Sequence, residues 1–179
     1  MHGVGKTTLV NSININRPIL KFIDSDLIPI DGRGYRQQIF RLDSYEDFSI
    51  SLYPIIDTIA DRSPLDFKVY NDLVMPIGSA EWKDCDERTN DLIQSMKDKE
   101  YFFEWKNILV YDDYNAVMKR VRSRDRRIWG EDDEEYNRAA YRMFYSAGGD
   151  YFTAITGEPS ILVHIDDAKD YIESLFLSM

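Results

Sequence analysis

Residues 1–10 read MHGVGKTTLV, and the fold turns on how that stretch is understood. A phosphate-binding loop follows the pattern G-x-x-x-x-G-K-[ST]. Gly5, Lys6 and Thr7 fill its second half, while the first glycine of the pattern falls one residue before Met1. Glycines let the backbone turn so that successive N–H groups face a phosphate. A helix starting just after the loop adds the positive end of its dipole. Lys6 then reaches the β- and γ-phosphates, and the Thr7 hydroxyl takes Mg²⁺. The competing reading is a glycine turn ahead of an ordinary helix. G-K-T-T running straight into a helical pattern favours the phosphate loop.

Working outward, residues 6–15 form a helix that Pro18 ends, and ILKFI (19–23) is a short β-branched and aromatic strand. PIDGRGYR is turn-rich, SYEDFSISLYPII (44–56) is helical up to Pro54, and DTIADR (57–62) is a strand ending in charge. Ser63 then caps a helix with Pro64 at its first position and Asp66 in its first turn, running to about Met75 before Pro76 and Gly78 stop it. A second long helical pattern covers 84–103, and NILVYDD (107–113) is a strand with an acidic exit. A helix begins near Asn115 and runs into an arginine cluster. GEDDEEYNRAAYRMFYSAGG is a helix with acids at its start and glycines at its end, where the dipole and the turn favour them. SILVHIDD (160–167) is the last strand, and AKDYIESLFLSM closes the chain as an amphipathic helix. Strands alternating with helices predict a parallel sheet with helices on both faces.

Composition narrows the function. Residues 1–179 suffice for a single domain with a sizeable core, and 44% hydrophobic residues make it globular. The formal charge of −10 repels a polyanion, so no nucleic acid is expected as partner. One cysteine, Cys85, and two distant histidines leave no disulfide and no Cys/His metal centre to expect. No apolar run is long enough for a membrane span and no signal peptide is visible, which gives a cytoplasmic expectation.

Three further patches carry chemistry. FIDSD (22–26) sets Asp24 and Asp26 just past a strand end, the rim where parallel sheets bind ligands. Asp24 there either takes a proton from an acceptor hydroxyl or holds a metal through water. The alternative is a solvated turn. DRSPLD (61–66) places Asp61 and Arg62 past another strand end, Arg62 suited to grip a phosphate and Asp61 to orient it or act as base. The alternative is an ion pair beside a capping serine. KRVRSRDRR (119–127) brings Arg120, Arg124 and Arg127 to one helical face, where they can clamp phosphates, or pair with EDDEE (131–135), or do both in turn. Tyr35, Phe40 and Tyr70 are the aromatics considered for stacking on a base. His164, in an apolar strand, reads as a core residue, and Cys85 has no activating neighbour.

With these patches in this order the chain resembles the P-loop kinases of the thymidylate kinase and deoxynucleoside kinase superfamily, most strongly at GVGKTT, DRSPLD and AVMKRVRSRDR. Asp61-Arg62-Ser63 matches the acidic–arginine pair that contacts the acceptor. Arg120, Arg124 and Arg126 match the arginines of the lid, here the segment 119–135. SILVHID matches the last strand, near the adenine pocket. FIDSD is similar to the D-x-D of shikimate-kinase-like enzymes, and no stretch repeats the E-P-x-x-x-W of deoxynucleoside kinases.

The resemblance implies a three-layer α/β/α fold with a mainly parallel central sheet, lacking its first strand in the sequence given. It also implies ATP and Mg²⁺ as cofactors, with a nucleotide or nucleoside as the phosphate-accepting substrate; homodimers are common in the superfamily. Gly3, Val4, Gly5, Lys6, Thr7, Thr8 and Arg120 would bind the nucleotide, and Thr7 and Asp24 the metal. Lys6, Asp24, Asp61, Arg62, Arg124 and Arg126 would act in phosphoryl transfer. The alternatives are a nucleotide-binding ATPase or regulatory module without an acceptor, and a degenerate protein without turnover. The preferred expectation for the opening loop is a true start upstream of Met1, with the neighbouring strands facing an empty slot and backbone groups to satisfy there.

Overall fold

Short β-branched runs need a partner on at least one edge, and in this chain each described strand finds a parallel one. The computed structural model describes residues 4–23, 34–51, 57–98, 106–123, 133–145 and 160–178. The chain divides into two compact units, Pro18–Lys106 and Met1–Arg17 together with Asn107–Met179. The architecture is mixed α/β and mostly helical, and the described strands form two two-stranded parallel sheets.

In the Pro18–Lys106 unit, β1 (Leu20–Phe22) pairs with β2 (Thr58–Ala60) in the register Leu20↔Thr58 to Phe22↔Ala60. Parallel strands need a long crossover rather than a hairpin, and α2 (Tyr35–Ser51) lies between them in the chain. This helix begins at Tyr35, not at Ser44 as the sequence suggests. Gly34 takes the left-handed turn at φ 57°, and the Gln38 N–H then bonds back to the Gly34 carbonyl at 3.1 Å. Its inner face runs Gln38, Arg41, Leu42, Tyr45, all buried. Two of those four are polar, which hides the helical period from a hydrophobicity count.

Next comes α3 (Pro64–Val74), which starts where the sequence predicts, with Asp66 in the first turn; Ser63 stands extended at the N-cap position, but its side chain makes no cap hydrogen bond, so Pro64 rather than a serine cap marks the start. The third helix, α4 (Ala80–Asp98), starts at Ala80 rather than Asp84, because the Ser79 hydroxyl accepts the Trp82 N–H at 3.1 Å and caps it. Leu42, Tyr45, Phe67 and Leu92 from the three helices form one core cluster, against which Phe22 and Ile39 pack. Tyr45 sits edge-on to Phe22 and Phe67, with ring centroids 4.8 and 5.2 Å away.

In the other unit, α1 (Lys6–Ser12) stops well before Pro18. Ile13 turns extended and buries its side chain, and the Asn14 N–H is taken by the Glu173 carboxylate at 2.9 Å. Then follow β3 (Ile108–Tyr111), α5 (Tyr114–Arg122), α6 (Glu134–Tyr145), β4 (Ile161–His164) and α7 (Ile165–Ser178). The two strands pair from Ile108↔Ile161 to Tyr111↔His164. β4 ends at His164 and the helix starts at Ile165, not at Ala168. Asp166 and Asp167 thereby fall in a first helical turn, where the dipole favours acids.

Alternate carbonyls of a parallel strand face opposite edges. The Asn107 carbonyl takes the Ile161 N–H on the β4 side. The Val110 and Asp112 carbonyls face away from β4 and accept the hydroxyls of Tyr145 (2.8 Å) and Tyr141 (2.9 Å), one turn apart on α6. A helix thus satisfies an edge that a strand would otherwise occupy. Tyr145→Phe deletes one donor and leaves the Val110 carbonyl without it. The expected loss, read by urea denaturation, is about 1–3 kcal/mol; a loss below about 0.3 kcal/mol would mean that water replaces the phenol.

Candidate functional site

The glycine loop is built as its sequence requires at one point. Gly5 has φ 101° and ψ 16°, a left-handed conformation that other residues adopt only with strain. A Cβ there would lie 3.7 Å from Ile165 Cδ1, an ordinary contact, so it is the backbone conformation and not lack of room that calls for glycine. The contact also seats the loop beside the carboxyl end of β4. Val4 is buried, Lys6 and Thr7 open α1 half-buried, and Thr8 is exposed. The helix behind them has only seven residues, so the backbone of the loop and the Lys6 ammonium, rather than a helix dipole, are what it offers an anion. Gly3 lies outside the described residues.

Beside this loop, at the carboxyl ends of β3 and β4, stands a cluster that the sequence did not reveal. Asp112 is 8% exposed. One of its carboxylate oxygens accepts the Asp113 N–H at 2.6 Å and lies 3.4 Å from His164 Nε2; the other accepts Arg120. The Asp166 N–H points at His164 Nδ1 at 3.3 Å, and the Asp166 carboxylate lies 3.5 Å from the same nitrogen. Burial alone would push the Asp112 pKa up; the Arg120 hydrogen bond, the Asp113 N–H and the charges of Arg120 and His164 outweigh it, and the carboxyl is held below its ordinary value. His164 is therefore not a core residue: its side chain is 34% exposed and pins the end of β4 to the end of β3. Arg120, expected to reach nucleotide, is turned onto Asp112. With all its partners in place, Asp112 is a fixed charge and not a base. No local signal gives it, because the cluster arises from the parallel register, which pairs Tyr111 with His164 and so brings the acidic exit of one strand to the end of the other.

In the Pro18–Lys106 unit, Asp61 and Arg62 follow β2. The Asp61 N–H extends the ladder to the Phe22 carbonyl at 3.1 Å, and its side chain is buried. The Arg62 guanidinium is buried too, 3.7 Å from the Asp66 carboxylate and 5.1 Å from the centre of the Tyr70 ring, and its carbonyl accepts the Tyr45 hydroxyl. A second guanidinium, Arg41 on α2, lies 5.8 Å from the same ring. Burial raises the Tyr70 phenol, and Arg62 pulls against that shift. Arg41 is held by a buried relay: it donates to Gln38 (3.3 Å), Gln38 to Asn71 (2.9 Å), and Asn71 to Thr89 (3.4 Å). Sequence reasoning missed Arg41 and Gln38, although their i, i+3 spacing would align them on a helix.

The remaining candidates divide plainly. Asp24, Arg124, Arg126 and Arg127 lie outside the described residues. Tyr35 is tied through its hydroxyl to Asp84 at 2.7 Å, Tyr70 is buried, and Phe40 is 39% exposed. Burial pushes the Cys85 thiol up to about 11, so it is no nucleophile. Among the described residues no group of three acidic, histidine or cysteine side chains could hold a metal, and no helix is long and apolar enough to cross a membrane.

A carboxyl held low when folded contributes stability that is present above the ordinary carboxylate range, about pH 4, and is lost as pH falls through the depressed value. Arg120→Ala should therefore cost most stability at about pH 7, with the cost shrinking as pH falls below about 4, by urea denaturation across that range. A loss that stays equal across the range would assign Arg120 to packing instead. No family model, curated protein or solved structure matches this chain, so its own residues carry the functional argument.

Proposed function

We propose that the protein is an ATP-dependent phosphotransferase acting on a nucleotide or nucleoside. The observation that carries the reading is Gly5, left-handed immediately before Lys6 and Thr7 at the opening of α1, in the sequence GVGKTT. That conformation turns backbone N–H groups toward one side, and Lys6 adds a point charge for the outer phosphates. Mg²⁺ would come with the nucleotide, where the Thr7 hydroxyl would hold it and its charge would offset that of the phosphates. Asp24 remains the second candidate for the metal. The finer fold that accompanies this reading is a three-layer α/β/α P-loop arrangement with a mainly parallel sheet. A parallel pair in each unit, with helices between its strands in the chain, supports it.

In the reaction, the acceptor oxygen attacks the γ-phosphorus, the bond to the β–γ bridging oxygen breaks, and ADP leaves. Lys6 offsets the charge gathering on the phosphates, with Arg124 and Arg126 as lid partners. Asp61 or Asp24 takes the proton of an acceptor hydroxyl, and Arg62 grips an anionic acceptor. Positioning supplies most of the rate.

A second reading, a nucleotide-binding ATPase or regulatory module with no small-molecule acceptor, is favoured by one observation. Arg62 is buried against Tyr70 and paired with Asp66, so gripping an acceptor requires it to leave both. Incubation with ATP, Mg²⁺ and a panel of nucleosides and nucleoside monophosphates separates the two. ADP release that depends on one acceptor supports transfer, whereas release without any acceptor supports the module. Lys6→Ala should reduce either turnover by at least about a hundredfold, the order of one lost transition-state charge contact. Turnover that survives this substitution would remove the loop from the chemistry.

A further inference from the structure

Along α5 runs a cleft of about 430 Å³, lined by Tyr114, Asn115, Met118, Lys119, Arg122 and Ser123 with Glu134 of α6. It belongs to the Met1–Arg17 and Asn107–Met179 unit. Lys119, Arg122, Ser123 and Glu134 belong to the segment 119–135 that resembles a lid, but Arg120 points elsewhere, onto Asp112, so the cleft lies on another face of α5 from it.

Glu134, the first residue of α6, receives three donors. Tyr114 gives its hydroxyl at 3.1 Å, Arg138 its guanidinium at 2.9 Å, and Arg122 its guanidinium at 3.3 Å to the second oxygen. Arg138 also lies 4.9 Å from the Tyr114 ring centre, which braces the two together. One carboxylate therefore sits among donors from two helices. Lys119 lines the same cleft, is exposed, and makes no ion pair among the described residues. Asp133, the residue before Glu134, is committed to the start of α6, where one of its carboxylate oxygens accepts the Glu135 and Tyr136 N–H groups. Glu135 is exposed beside it. Two cations, Arg122 and Arg138, thus pair with one carboxylate, and Lys119 lines the same cleft, in a chain of formal charge −10, while Met118 and Tyr114 add apolar wall.

We propose that this cleft is a second anion site, for a small phosphorylated molecule, in which Glu134 stands in for the ligand until a phosphate displaces it. The exchange is affordable because the Glu134 pairs are exposed, and such pairs hold weakly. A phosphate brings more charge and more acceptor oxygens to Arg122, Arg138 and Lys119 than a carboxylate does. No bond is made or broken; Glu134 swings out and α5 keeps its place.

The test is calorimetric titration of the full chain with inorganic pyrophosphate in a Lys6→Ala background, so that the glycine loop does not contribute. The expected result is one binding event that weakens as salt rises. It should tighten about threefold to tenfold in Glu134→Gln, where a competing charge is gone but the side chain keeps its size. It should be lost, by tenfold or more, in Lys119→Ala/Arg122→Ala, two exposed substitutions whose helicity is checked by circular dichroism. Absence of binding in the Lys6→Ala chain, or binding that ignores Lys119 and Arg122, overturns the proposal. So does Glu134→Gln binding no tighter than its parent. These outcomes are independent of whether the native chain turns over ATP.

Discussion

Much of the Met1–Arg17 and Asn107–Met179 unit depends on one carboxylate at the end of one strand. Asp112 leaves β3 with its side chain held by Arg120 of α5, by His164 at the end of β4, and by its neighbour's N–H, while its own carbonyl takes Tyr141 of α6. Two strands and two helices meet at one residue. A buried carboxylate is costly unless every oxygen is satisfied, and here the satisfaction comes from elements far apart in sequence, so the network also specifies where those elements stop. β4 ends at His164, whose imidazole faces Asp112, and α7 starts at once, with the Asp166 N–H facing the imidazole.

The Pro18–Lys106 unit solves the same problem with a relay in place of a hub. Arg41, Gln38, Asn71 and Thr89 link α2, α3 and α4 through a buried line of side chains, and the Thr89 hydroxyl ends it on the Cys85 carbonyl at 2.6 Å. The apolar cluster around Tyr45 and Phe67 supplies the burial, and the relay sets the rotation of each helix about its axis. Its charged end, Arg41, is delivered to the ring of Tyr70, where Arg62 also lies. The two units thus hold their candidate residues by different means: at the glycine loop by backbone conformation, at Arg62 by packing and charge.

What the sequence disclosed, and what it hid, follows from range. Local chemistry was legible: Pro64 and Asp66 start α3, and NILVY reads as a strand without help. Features governed by polar residues facing inward were not. The start of α2 was lost because Gln38 and Arg41 occupy its inner face, and that of α4 because Ser79 caps it ahead of the apolar pattern. The glycine loop was legible as a motif, and its left-handed Gly5 is a local matter. The Asp112–His164–Arg120 cluster was not, because it exists only through the parallel register of strands some fifty residues apart. The alternation of strands and helices correctly announced parallel pairing, while two small sheets stand among the described residues where a single central one was expected.

The two α6 tyrosines that bond to the edge of β3 bear on how this protein behaves in a crowded solution. A bare row of peptide carbonyls invites the backbone of another molecule to lie alongside and begin a stack. Here two phenols a helical turn apart occupy successive acceptors of that row, and a hydroxyl on a ring offers an incoming strand nothing to continue. Recruitment of a neighbour along this margin must first pry a helix away, so self-association through it is gated by an unfolding event within the molecule rather than by chance collision.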